Sequence, residues 1–89
     1  MKQHLEISVS GRVQGVGFRY QAKEIADQLG VRGYARNMRD GSVSIEAEGD
    51  VESLDKFLEI LKGSPGISNV QNVEIKEGEN KHYRGFSVY

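Results

Sequence analysis

Three glycines crowd into Gly11-Arg12-Val13-Gln14-Gly15-Val16-Gly17, just before a stretch with helical spacing. A helix's first N–H groups lack internal acceptors and lie at the positive end of its dipole. Glycines at such a junction let the main chain approach an oxyanion closely. Arg19 falls in the helix's first turn, where a cation does the helix no service. A bound anion would account for it, because a guanidinium can grip two phosphate oxygens at once. Asn37 is the second candidate. It closes a strand just before a turn, and its amide can hydrogen-bond a water or a substrate oxygen. On the residues alone both readings stay open: the loop also reads as a plain tight turn, and Asn is common at strand ends. Gly15-Val16-Gly17 starts like a dinucleotide fingerprint, but Tyr20 stands at the third glycine position. No Gly-Lys-Ser/Thr follows, which excludes a nucleotide P-loop.

The elements that must position these residues emerge from periodicity. Leu5, Ile7 and Val9 alternate with Glu6, Ser8 and Ser10, a strand with one buried face. Phe18, Ala22, Ile25, Ala26 and Leu29 mark one face of a helix that Gly30 stops. Val31 to Met38 reads as a second strand, Arg39-Asp40-Gly41 as a hairpin turn, and Val43, Ile45 and Ala47 as a third strand with a solvent face. Asp50 is the expected N-cap of a second helix whose apolar face is Val51, Leu54, Phe57, Leu58 and Leu61, ended by Gly63 and Pro65. Val70 to Ile75 is a fourth strand. Val70 is out of phase with Val73 and Ile75, which predicts a bulge. Gly78-Glu79-Asn80 is a turn, and Tyr83 to Tyr89 a short final strand. The order β-α-β-β-α-β plus a short last strand predicts an α+β, ferredoxin-like split βαβ sandwich: an antiparallel sheet with two helices on one face.

The chain has 89 residues, no Cys, and a net charge of −1. That length is expected to make one domain, 1–89. Without Cys there is no disulfide framework, thiolate nucleophile or Cys-held zinc. The charge argues against a general nucleic-acid binder. Its distribution is uneven: residues 1–41 carry seven basic groups against four acidic, and five of the six arginines lie between Arg12 and Arg39. A small anion is drawn to that half. No apolar run reaches the ~18 residues of a membrane span, and Met1 to Glu6 lacks the apolar core of a secretion signal, so a cytoplasmic location is the expectation. His4 and His82 have no ligand spacing. Glu46, Glu48, Asp50 and Glu52 lack a calcium-loop pattern and read as a solvated edge. Arg32, Arg36 and Arg39 read as solvated surface. Phe18, Tyr34, Phe57 and Phe86 read as core.

Val9-Ser10-Gly11-Arg12-Val13-Gln14-Gly15-Val16-Gly17-Phe18-Arg19 resembles the first motif of the acylphosphatases. Gly33-Tyr34-Ala35-Arg36-Asn37-Met38-Arg39-Asp40-Gly41-Ser42-Val43, running on to Gly49, resembles the second. The likeness extends over essentially the whole chain, including its closing Tyr89. It implies sheet order 4-1-3-2 with the last strand added at one edge. It implies hydrolysis of the carboxyl-phosphate anhydride bond of acyl phosphates to carboxylate and inorganic phosphate, by direct attack of a positioned water on phosphorus. The family's phosphate-binding arginine falls on Arg19 and its water-orienting asparagine on Asn37. The phosphate loop falls on Gln14, Gly15, Val16, Gly17, Phe18 and Arg19. No metal or other cofactor is implied, and the partners implied are an acyl phosphate and inorganic phosphate, with no nucleic acid and no membrane. The small size and near-neutral charge suggest a monomer. Other proteins of this fold are non-catalytic modules, regulatory ligand domains or RNA-recognition motifs. The last use stacking aromatics on their third strand, and Val43 to Ala47 has none.

Overall fold

A computed structural model describes all 89 residues. Its seven elements, in chain order, are β1 (Lys2–Arg12), α1 (Phe18–Leu29), β2 (Arg32–Asn37), β3 (Val43–Asp50), α2 (Val51–Lys62), β4 (Asn69–Gly78) and β5 (Phe86–Val88). The sheet order is β4-β1-β3-β2-β5, with the last strand added beside β2. The first four strands pair antiparallel, whereas β5 runs parallel to β2, so the complete sheet is mixed. Chain geometry accounts for the parallel pair. β4 and β5 lie at opposite edges, and the chain crosses the width of the sheet between them rather than turning back in a hairpin.

Period two places Leu5, Ile7 and Val9 of β1 and Val43, Ile45 and Ala47 of β3 on one face, all buried. Phe18, Ala22 and Ala26 of α1 and Leu54, Phe57 and Leu61 of α2 cover that face, while Ile25, Leu29 and Leu58 pack at its margin. Sixteen buried apolar residues form one cluster. Phe57 and Phe86 meet edge to face, with centroids 6.0 Å apart, which ties β5 to α2.

The expected bulge falls where Val70 breaks phase. Ser10 pairs with Asn72 and Gly11 with Val70, so Gln71 is the extra residue. Two helix ends differ in detail from expectation. Asp50 stands at the N-cap of α2, but its side chain caps nothing. The N–H of Val51 donates instead to Met1 O at 3.0 Å. Gly63 ends α2 with φ −80° rather than in a left-handed conformation, its N–H shared between Glu59 O and Ile60 O.

The other sheet face departs further from expectation. Glu48 is fully buried, as is His4, which pairs with it across β1 and β3. Tyr34 lies on this open face rather than in the core, because it alternates with the core residue Ala35. The solvated edge predicted for Glu46 and Glu48 is therefore wrong, although Asp50 and Glu52 are exposed. The cause is the crossover between β4 and β5, residues 79–85, which lies over the open face at the end of the sheet where β1 begins. The final strand is correspondingly shorter than the predicted Tyr83 to Tyr89.

Candidate active site

Where β1 ends, Val13 is buried and anchors the chain before it turns into α1. Gly15 has φ +73° and Gly17 φ +77°, left-handed values that suit glycine. A Cβ added at either would meet no atom within 4 Å, so the surface above the loop is open to a ligand. Gly17 is the N-cap of α1 and brings no side chain to satisfy the first turn, and no acidic residue stands in that turn.

The hydrogen bonds of this region are one-sided. Gly17 O accepts the N–H of Gln21 at 3.0 Å. The main-chain N–H groups of Gln14, Gly15, Val16, Gly17, Phe18, Arg19 and Tyr20 make no well-formed hydrogen bond within the protein, although residues 14–17 are wound into a turn. Seven consecutive donors left free at a helix N-terminus form a cradle for an anion. Phe18 serves the cradle with its main chain only, since its ring is in the core at 1% exposure. Val16 also packs against the core, which holds the loop down.

Arg19 is half-buried beside the cradle. Its Nη1 donates to the main-chain oxygen of Tyr89, and its guanidinium lies 5.8 Å from the ring centroid of Tyr20. Only one of five guanidinium N–H donors is thereby committed to the protein. Tyr89 is itself fixed. Its N–H donates to Ala35 O at 2.9 Å, and its ring meets Tyr34 at 5.7 Å. Arg36 lies over both rings, at 5.3 Å from each centroid, so it does more than face solvent.

Asn37 ends β2 in the row that also holds Val43 and Val9. It lies two residues beyond the core residue Ala35, which puts it on the helix-covered side of the sheet, the side from which α1 starts. It is exposed and its side chain makes no hydrogen bond within the protein. The loop and the β2–β3 turn are tied together. Gln14 Nε2 donates to Met38 O at 2.7 Å and to Ser42 O at 2.9 Å. The turn is braced in its own right, with Met38 N–H on Ser42 O at 2.8 Å. Asp40 Oδ1 accepts both the N–H and the hydroxyl of Ser42, at 2.9 and 2.6 Å. Those bonds hold the Asp40 carboxyl below its usual range.

All predicted site residues thus gather at one end of the sheet, on the helix side. Two features are not visible in the sequence. The Gln14 side chain ties the loop to the β2–β3 turn, a role that its place in a loop does not announce. The Tyr89 oxygen on Arg19 depends on a contact between residues 70 positions apart, which periodicity cannot supply. No group of three or more His, Cys, Asp or Glu is arranged to hold a metal ion.

Comparison with known proteins gives a consistent picture. A family model described as acylphosphatase matches residues 5–88. The acylphosphatase of Archaeoglobus fulgidus is 49% identical over 84 residues, covering 94% of each chain. The crystal structure of the acylphosphatase from Bacillus subtilis superposes with a TM-score of 0.94 at 37% identity, over 100% of this chain and 99% of that one. A full-length HypF in a phosphate- and nucleotide-bound form matches with a TM-score of 0.93 at 30% identity, over 100% of this chain but 12% of that much longer one.

Proposed function

The chain belongs to the acylphosphatase family and hydrolyses the carboxyl-phosphate bond of acyl phosphates, and we propose that the cradle from Gln14 to Tyr20, Arg19 and Asn37 carry out that reaction. The seven unpartnered N–H groups support this most directly. They lie on consecutive residues at one helix start. In this reading the amides and the free N–H groups of Arg19 bind the phosphoryl oxygens. Asn37 directs a water at phosphorus from the side opposite the leaving carboxylate.

The chemistry asks little more. A carboxylate leaves readily, since its conjugate acid has a pKa near ~4, so no general acid is required. Phosphoryl transfer through a loose transition state depends mainly on positioning and on charge neutralisation. Main-chain dipoles and a guanidinium supply both. Nothing in the cradle reads the acyl group, so recognition centres on the phosphoryl end. The single core cluster supports treating residues 1–89 as one catalytic unit. The same reading has the enzyme act as a cytoplasmic monomer, which sedimentation and cell fractionation test.

The deciding experiment is release of phosphate from benzoyl phosphate by the purified chain, in the presence of EDTA and against a mock-purified control. Inorganic phosphate should compete with substrate. Absence of hydrolysis, or activity restored only by added Mg²⁺ or Zn²⁺, would refute the metal-free reading. A phosphate insensitivity of KM at matched ionic strength would refute the cradle.

A further inference from the structure

Residues 79–85 cross the sheet with hardly any main-chain pairing of their own; Gly85 O accepts the N–H of Gly33 at 2.8 Å. They hang instead from two carboxylates of β3. Glu48 Oε1 accepts the N–H of Tyr83 at 2.9 Å, and its Oε2 accepts the N–H of Lys81. His4 Nδ1 lies 2.7 Å from that same Oε2. Glu46 accepts the hydroxyls of Tyr83 at 2.9 Å and Tyr34 at 2.8 Å, and the ammonium of Lys81 at 3.1 Å. His4 Nε2 stands 3.1 Å from Glu46 Oε1, off the hydrogen-bond line. Burying a carboxylate is unfavourable unless donors replace its water. Here they do so for Glu48 completely, which marks the crossover as held firmly in place.

The strand beyond the crossover has need of such an anchor. β5 has three residues, and it meets β2 at Gly33, Tyr34 and Ala35. So short a strand sets its own register weakly. Tyr89 comes directly after it and delivers a main-chain oxygen to Arg19. We infer that Glu48, supported by His4 and Glu46, is a positioning residue for Arg19. It pins Lys81 and Tyr83, the pinned crossover fixes β5 along β2, and β5 presents the Tyr89 oxygen that orients the guanidinium. The inference rests on Arg19 binding the phosphoryl group. The anchor does not touch the site: the His4–Glu48 row lies five residues from the Val9–Val43 row, about 17 Å at ~3.3 Å per residue.

The test is Glu48→Gln, assayed for benzoyl phosphate hydrolysis and for inhibition by inorganic phosphate. The amide keeps the shape but turns N–H groups toward donors. KM and the phosphate inhibition constant should rise together by roughly tenfold, the scale of a displaced positioning group. Amide exchange at Tyr89, whose N–H donates to Ala35 O, should speed up while β1 and α2 stay protected. Leu58→Ala, a partly buried change in α2, is the stability control and should leave both constants unchanged below its melting temperature. If Glu48→Gln does not fold, the Tyr83→Phe, Lys81→Ala pair removes two donors to Glu46, and it should shift the same constants by a smaller factor. Wild-type constants in the folded variant, or a shift no larger than that of Leu58→Ala, would overturn the inference. Arg19→Ala run in parallel separates the two claims. Wild-type constants there refute the site assignment, whereas a loss with Arg19→Ala and none with Glu48→Gln refutes only the positioning role.

Discussion

Replacing Arg19 by Ala removes a cation that stands beside the cradle. One of its N–H donors is committed to Tyr89, which leaves a pair free for two phosphoryl oxygens. Hydrogen bonds to a charged group contribute about 1.5–3 kcal/mol each. Arg19 is half-buried, so the lower end applies, and two such bonds give about 3–4 kcal/mol. At 1.4 kcal/mol per decade, kcat/KM should fall by about 10²–10³, comparable with loss of an oxyanion donor. Arg19→Lys should also be poor, since a point charge cannot replace a planar fork. Phosphate competition should weaken in parallel, because the same bonds hold the product. Asn37→Ala gives the contrast. The proposed role of Asn37 is to direct the water, so kcat should drop steeply while the phosphate inhibition constant stays near wild type. The assay is steady-state hydrolysis of benzoyl phosphate, after circular dichroism and melting show each variant folded. Retained phosphate affinity in Arg19→Ala, together with lost affinity and intact kcat in Asn37→Ala, would refute the assigned roles.

Other consequences are open to direct measurement. Gly17→Ala forces a Cβ into a left-handed conformation with φ +77°, and should cost about 1–2 kcal/mol in chemical denaturation and weaken phosphate binding; wild-type stability and affinity would show the loop to be permissive. Gln14→Ala cuts both bonds to the β2–β3 turn and should destabilise by about 1–2 kcal/mol, with kcat falling more than phosphate affinity. Phosphate at a hundredfold excess over Kd should add about 2.7 kcal/mol of stability, which is about 10–20 °C in Tm for a domain this small. Stability should fall at both pH extremes. Burial raises the Glu46 and Glu48 carboxyls, but hydrogen bonds outweigh it and hold them below the ordinary 4.5, so their contribution is complete above that value and is lost as pH drops through the folded ones. Burial and then the bond to Glu46 push Tyr34 and Tyr83 from 10.0 up to about 12; that contribution holds below pH 10.0 and disappears as pH rises through about 12. Thermal melts across pH and tyrosine ultraviolet absorbance check the two limbs.

Local physics made most of the fold legible. Apolar alternation marks β1 and β3, 3.6-residue spacing marks both helices, and the phase slip at Val70 marks the bulge. The cradle is legible because its determinants are consecutive: glycines, helix start and arginine lie within a few residues. Asn37 by itself is ambiguous, and only the paired motifs single it out. The open face is illegible for a definite reason. Period two puts His4, Glu46 and Glu48 on one face, but which face a later segment covers depends on a crossover between opposite sheet edges. Nothing in Gly78 to Gly85 encodes that path locally. The carboxylates look like ordinary solvent-facing residues because the groups that bury them, Lys81 and Tyr83, arrive more than thirty positions later in the chain.

A water must stand in line with the bond it breaks, so the group that aims the water and the group that holds the phosphorus have to move as one body. Asn37 is on β2 and the cradle precedes α1, two elements separated by the whole length of that helix. Gln14 removes this freedom: its amide reaches from the loop to both sides of the β2–β3 turn, at Met38 O and Ser42 O. Asp40 keeps the far side of the turn from opening by holding Ser42 through two bonds. The third constraint comes from the other end of the chain, where β5 runs beside β2 and brings the Tyr89 oxygen to Arg19. Loop, turn and terminal strand therefore brace one another around a site whose proposed ligating groups are mostly main chain. A site so built needs few special side chains, and for that reason it depends on the tertiary contacts that fix its backbone.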